Sequence, residues 1–206
     1  MTTRTQARPQ WRVPTALILL SAVPVAAGTF RVAQLTGGAR ITEENARFFA
    51  APVPVVLHIV GATVFCVLGA FQFVPRLRRR AWHRVAGRVL VPSGLVAALA
   101  GLWLTVFFPN PGSYLLNGSR LVFGSFMVAA LVVGLAAIRR RNVAVHRAWM
   151  RRGYAIGLGA GTQAVVTGIW FAAAGTPSQL AGDVLLIAGW VINLAVAEWL
   201  NLKEKR

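Results

Sequence analysis

Acidic side chains are nearly missing from this sequence: five Asp and Glu stand against 22 Lys and Arg. So few carboxylates leave little for paired acid–base hydrolysis or for a hard-cation site. No nucleotide-binding glycine loop, serine-nucleophile elbow or zinc-protease motif is present either. Cysteine is almost absent. Cys66, standing alone, allows no intrachain disulfide and no cysteine-based metal site, and reads as a small buried hydrophobe. Charged residues of both signs make up only 13% of the chain, too few for an ordinary soluble domain.

What is there is apolar. Hydrophobic residues reach 56% and the mean hydropathy is +0.61. Runs of about 20 apolar residues recur, long enough to cross a hydrocarbon core of about 30 Å. They predict spans from about Pro14 to Leu35, Pro54 to Val74, Ala86 to Phe108, Asn117 to Ile138, Gly153 to Ala174 and Ala181 to Leu200. The first resembles a signal peptide at Val25-Ala26-Ala27-Gly28, but its apolar stretch runs on to Leu35 and reads as an uncleaved helix. Ile41 to Asn45 reads as a capped helical turn, and Phe107 to Gly112 as a turn rich in breakers. Pro92 with Gly94 suggests a kink in the third span.

The arginines sort by side. Two turns, Arg76 to Arg88 and Arg139 to Arg152, hold twelve of the 22 basic residues. With the segment from Met1 to Arg12 and the tail from Asn201 to Arg206, they place eighteen basic residues on one side and four on the other: Arg31, Arg40, Arg47 and Arg120. The positive-inside rule then predicts a single all-α domain, 1–206, of six spans with both termini in the cytoplasm. The setting is a bacterial inner membrane. In a soluble chain the net charge of +17 would suggest nucleic acid, but loop arginines between spans account for it, so no nucleic-acid partner is expected. The twin turns suggest a parallel repeat of spans two–three and four–five.

The three histidines all sit in or beside spans. His58 lies within the second span, and an ionisable side chain there is a functional candidate because its burial costs free energy. It shares a helical stripe of small and polar residues with Gly61, Ala62, Phe65, Gly69 and Gln72, which must face protein. The plain alternative is a packed histidine beside closely approaching helices. His83 and His146 stand at matching depth in the two turns, roughly 20 Å from His58 along the helix. If spans three and five are neighbours, the pair could ligate a b-type haem or a transition metal, with Arg84, Arg147 and other arginines on the propionates. Otherwise the turns hold anionic lipid headgroups. Met127, in mid-span, reads as too deep to partner His58.

Other polar residues within spans include Gln163, Asn193 and Glu198, the last placed to pair with an arginine of either turn. Gly153, Gly157 and Gly161 form a small-xxx-small stripe for helix packing. Trp11, Trp82, Trp149 and Trp199, with Trp103 and Trp170 at the other face, read as interface anchors.

Certain pieces taken together, His58-Ile59-Val60-Gly61, Trp82-His83-Arg84-Val85-Ala86-Gly87-Arg88 and His146 to Tyr154, resemble a bacterial family of predicted membrane proteins. That family is a domain of unknown function, twenty-three-oh-six. Trp190 to Asn193 and Ala197-Glu198-Trp199 extend the resemblance across most of the chain from span two onward. Gln163 departs from it, standing where many relatives are expected to carry a basic residue. The resemblance brings no activity. A looser one, by span number and histidine placement, is to six-helix cytochromes b and small oxidase-assembly proteins. The leading expectation is a redox-type protein holding haem or a metal on His83 and His146, with His58 a separate polar site. A non-enzymatic assembly or partner-binding protein, as a homo-oligomer or within a membrane complex, is the alternative. A small transporter is the weaker one, since no span reads as broken.

Overall fold

The computed structural model describes residues 11–78, 81–107 and 113–204. The expected breaker turn beyond Phe107, the first ten residues, Arg79 and Arg80, and the last two residues lie outside these. Among the described residues there are nine α-helices and no strand: α1 (Arg12–Thr36), α2 (Ala46–Ala50), α3 (Pro52–Phe71), α4 (Pro75–Arg78), α5 (Ala81–Phe107), α6 (Tyr114–Arg139), α7 (Val143–Gly157), α8 (Gly159–Ala174) and α9 (Gln179–Lys203). Five of them, α1, α3, α5, α6 and α9, are each long and apolar enough to cross a membrane. The helices α7 and α8 meet that test only as a pair, bent by 45°. The protein is therefore a multi-pass membrane protein, with five such helices among the described residues and a sixth span if the bent pair crosses as one.

The chain ends its helices by familiar means. Ser113, Asn142 and Ser178 cap α6, α7 and α9, each side chain accepting a hydrogen bond from a backbone N–H three residues on, at 3.2, 3.1 and 3.3 Å. A cap of this kind contributes about 1 kcal/mol. Arg141, just before the α7 cap, takes the left-handed φ of 60° that turns the chain between α6 and α7. The turn expected over Ile41 to Asn45 is present and leads into α2: the Ala46 N–H donates to the Thr42 carbonyl at 2.8 Å, and Asn45 Oδ1 accepts from the Thr42 N–H at 2.7 Å while its amide donates to the Arg40 carbonyl at 3.0 Å. Pro92 does not end its helix, which runs on as α5 to Phe107.

Packing follows the order of the chain. Helix α3 lies along α5, α5 along α6, and α6 along α7, while α9 lies against α8 and α7, and α1 against α3 and α8. Phe65 and Leu131 are the buried centre, surrounded by Cys66, Leu90, Ala98, Met127, Tyr154, Ile156 and Leu158. Leu19, Val23, Phe30, Val122 and Ile169 point outward and stay exposed, as lipid-facing residues do. Hydrocarbon tails are as apolar as these side chains, so shape and hydrogen bonds must hold such helices together.

The break at Leu158 shows those hydrogen bonds at work. A helix leaves its last carbonyls without partners of its own. At the end of α7, the Leu158 N–H donates to the Tyr154 carbonyl at 3.0 Å. Asn193 Nδ2 of α9 donates to the Ala155 carbonyl at 3.0 Å, and the Cys66 thiol of α3 reaches the Gly157 carbonyl at 3.4 Å. Asn193 is itself fixed by Thr162 Oγ1, which donates to its Oδ1 at 2.7 Å. The stripe Gly153, Gly157, Gly161 thus does not form one seam. Across the break its members face Leu131 of α6, Phe65 of α3 and Leu20 of α1 in turn.

Candidate functional site

Beyond Leu158 the chain bends by 45° into α8, which packs chiefly on α9 and α1. Between α8 and the helices α3, α5 and α6 lies a cavity of about 410 Å³, in the half of the bundle remote from the arginine-rich turns. Phe65, Met127, Ile156 and Gly157 form its floor, Trp190 and Gln163 one wall, His58, Ala97 and Gly101 the other. Arg47, Phe48 and Arg120 stand at its mouth.

His58 is held in one tautomer. Its Nδ1 lies 2.8 Å from the Ala97 carbonyl, and a carbonyl only accepts, so Nδ1 carries the proton. Among the described residues nothing bonds Nε2, whose lone pair is left for a ligand. Gly101 makes room for the ring, for a Cβ there would come within 3.1 Å of Nδ1. Gln163 donates to the Leu186 carbonyl at 2.7 Å, so its amide is anchored to α9 while its side chain lines the cavity.

The mouth is cationic. Arg31 and Arg47 both lie over the Phe48 ring, with Cζ at 3.8 and 4.6 Å from its centroid. Arg120 is tethered to Asn117 Oδ1 at 3.1 Å. Buried Asp183, at the start of α9, is engaged by the Ser113 hydroxyl. The three ion pairs among the described residues are all at the opposite end of the bundle. Three of the four basic residues outside the arginine-rich end therefore gather at one opening.

The family model described as predicted membrane protein (DUF2306) matches residues 55–201. This chain belongs to that family. No curated protein and no solved structure matches it. The DUF2306 part runs from Val55 in α3 to Asn201 in α9, and so takes in His58, the break and the cavity walls. Helices α1 and α2, with Arg31, Arg47 and Phe48, lie before it.

Within the DUF2306 part, the histidines of the two turns occupy different settings. His146 Nδ1 donates to the Gly134 carbonyl of α6 at 2.8 Å. His83 opens α5, beside Trp82, whose ring meets Phe71, which in turn meets Trp11. Helices α5 and α7 are not a packed pair; both lie along α6. No described contact joins the two rings, and no cluster of three or more His, Cys, Asp or Glu suited to a metal ion occurs among the described residues. Gln72 caps α3, its N–H donating to the Gly69 carbonyl at 3.0 Å. Arg84 and Arg88 are exposed.

The second turn is latched. Arg152 holds Glu198 through both carboxylate oxygens, at 2.5 and 2.8 Å. Arg147 pairs with Glu204 at 3.0 Å, and Arg151 pairs with the same carboxylate and with Asn201 Oδ1 at 3.1 Å. Arg147 is thus engaged with an acid of α9.

Several of these residues escape sequence reasoning. Met127, read as too deep for His58, lines the same cavity as His58. Arg47, Phe48, Arg120 and Trp190 were not singled out for a site. The available signal was the scarcity of basic residues on that side: a few arginines where topology disfavours them call for a local reason.

Proposed function

We propose that this protein resides in the bacterial inner membrane, with its arginine-rich end in the cytoplasm, and binds an anionic, largely apolar small molecule in the cavity behind Arg47 and Arg120. The observation that carries this reading is a pair of guanidiniums that form no ion pair among the described residues, at the mouth of a largely apolar cavity. Arg120 is partly buried and Arg47 exposed beside it; a partly desolvated cation is costly, and an arriving carboxylate or phosphate would offset that cost with charge-assisted hydrogen bonds. His58 Nε2 and the anchored Gln163 supply polar contacts deeper in. The first arginine turn, whose Arg76, Arg84 and Arg88 make no ion pair among the described residues, faces anionic lipid headgroups in this reading.

The test is thermal unfolding of the purified protein with a panel of anionic amphiphiles and their neutral analogues. Saturating anion stabilises the native state by a few kcal/mol at about a hundred times its Kd. The shift shrinks strongly in Arg47→Gln and Arg120→Gln. Equal shifts from neutral analogues would remove the reading. Flux into liposomes then decides whether the ligand is held or carried, since transporters build sites from broken helices.

A second reading is favoured by the tautomer of His58. An imidazole fixed through Nδ1–H to a carbonyl is oriented as metal-ligating histidines are, with Nε2 free. We propose as this alternative that the cavity takes a b-type haem on His58, its propionates at Arg47 and Arg120. A haem shared by His83 and His146 has less support, because the helices they open do not pack together. Absorption spectra of oxidised and dithionite-reduced protein discriminate: a Soret band lost in His58→Ala supports haem at this site, and a blank spectrum removes it.

A further inference from the structure

A second, smaller cavity of about 110 Å³ lies under α1, between Pro24, Val25 and Gly28 on one side and Ile59, Thr63 and Leu158 on the other. It is not independent of the first. His58, Ala62, Gly157 and Ala160 line both. Of these only His58 has a side chain larger than a methyl group, so the wall between the cavities is thin. Ala160 is exposed although α8 crosses there between α1 and α9, which means that no protein atoms fill the space in front of it. Helix α1 meets the bundle only through α3 and α8, and its other face is lipid-exposed at Leu19, Val23 and Phe30. Only this thin wall at His58 therefore separates the wide cationic cavity from a narrow, largely apolar slot roofed by α1.

We propose that the ligand is a single-chain anionic amphiphile, with its carboxylate or phosphate between Arg47 and Arg120 and its hydrocarbon chain passing His58 into the slot under α1. This rests on the anion reading above and gives the ligand its class. A compact anion would occupy only the wide cavity. Moving a chain from lipid into protein gains little hydrophobic free energy, because both are apolar. Affinity thus comes from the arginines, and the slot sets selectivity by width, admitting one unbranched chain.

The experiment uses the full-length protein in nanodiscs with two photoreactive palmitates, one carrying a diazirine near the carboxylate and one near the chain end. Labelled positions are mapped by mass spectrometry. The chain-end probe is expected at Ser21, Val25 or Ile59, above the background on the lipid-facing side of α1. Excess palmitate should compete and methyl palmitate should not. Ala160→Leu fills the passage from a position with open space and should cut chain-end labelling of the slot roughly tenfold, leaving labelling at the mouth in place. Ala62→Leu does the same from α3, should Ala160→Leu not fold. Labelling at the mouth that depends on Arg47 and Arg120, with no chain-end label in the slot, overturns this proposal and spares the anion reading. Absence of arginine-dependent labelling at the mouth overturns both.

Discussion

The two arginine-rich turns look alike in sequence and differ in what the protein does with them. Each joins two antiparallel helices and carries a histidine followed by an arginine. In the second, Arg147, Arg151 and Arg152 are bound by Glu198, Asn201 and Glu204 of α9, and His146 by the Gly134 carbonyl. In the first, Arg76, Arg84 and Arg88 meet no acid among the described residues. The supply of partners decides. Only five acids exist, and the last helix delivers two of them to the second turn. The helices that follow differ as well: α5 crosses in one piece, whereas α7 stops at Gly157, and α9 both latches its start and satisfies its end. A repeated motif thus marks topology, while packing assigns the work.

The strongest way to break this contrast is to add bulk beside each histidine. A Cβ at Gly153 on α7 would lie 3.0 Å from Leu131, which is fully buried, whereas one at Gly87 on α5 meets nothing within 4 Å. Gly153→Leu should destabilise by about 3 kcal/mol through overpacking. Gly87→Leu should leave stability unchanged or raise it by up to about 1 kcal/mol through helix propensity. Thermal unfolding in one detergent measures both, and equal losses would mean that both turns are packed alike.

A milder cut removes single charges. Arg152→Gln loses a two-pronged contact with Glu198 and the stacking of its guanidinium over Trp149, 4.6 Å from the ring. Both partners are partly exposed, so the expected cost is about 1 kcal/mol. Arg88→Gln should stay within about 0.5 kcal/mol of the parent. Hydrogen exchange in the last turn of α9 is the sharper readout. It should rise in the first variant and not in the second.

The spans were legible because an apolar run long enough to cross a bilayer needs no neighbour to be recognised. Expected and observed limits agree closely for α3, α6 and α9. The start of α7 was missed by ten residues, since charges end an apolar span but do not end a helix, and Asn142 caps it well before Gly153. The break at Leu158 had no clear signal. Gly157 and Gly159 flank it, yet glycines are ordinary in membrane helices, and what holds the break open comes from Asn193 and Cys66 on other spans. His58 could be found as a lone ionisable residue in a span. Arg47 and Arg120 could not be joined to it, because they come from segments far apart in the chain and are brought together at the cavity only by packing.

The smallest effect, and the one that isolates the latch, is on acid stability. Arg151 and Arg147 hold the Glu204 carboxyl down from an ordinary value of 4.5 to about 2, chiefly through the hydrogen bond from Arg151. A depressed carboxylate adds stability that is fully present above its unfolded value and disappears as pH falls through the folded one. The contribution is therefore intact at neutral pH and lost between about pH 4.5 and 2. Four other acids are present in the chain, so the parent curve alone does not identify Glu204. The difference between the parent and Glu204→Gln does: the variant should be less stable at pH 7, and the two should converge as pH falls towards 2. A constant gap at every pH would show that Glu204 acts by packing and not by charge. Convergence would establish that the end of α9 is tied to the second turn electrostatically, a tie that the described residues of the first turn do not make.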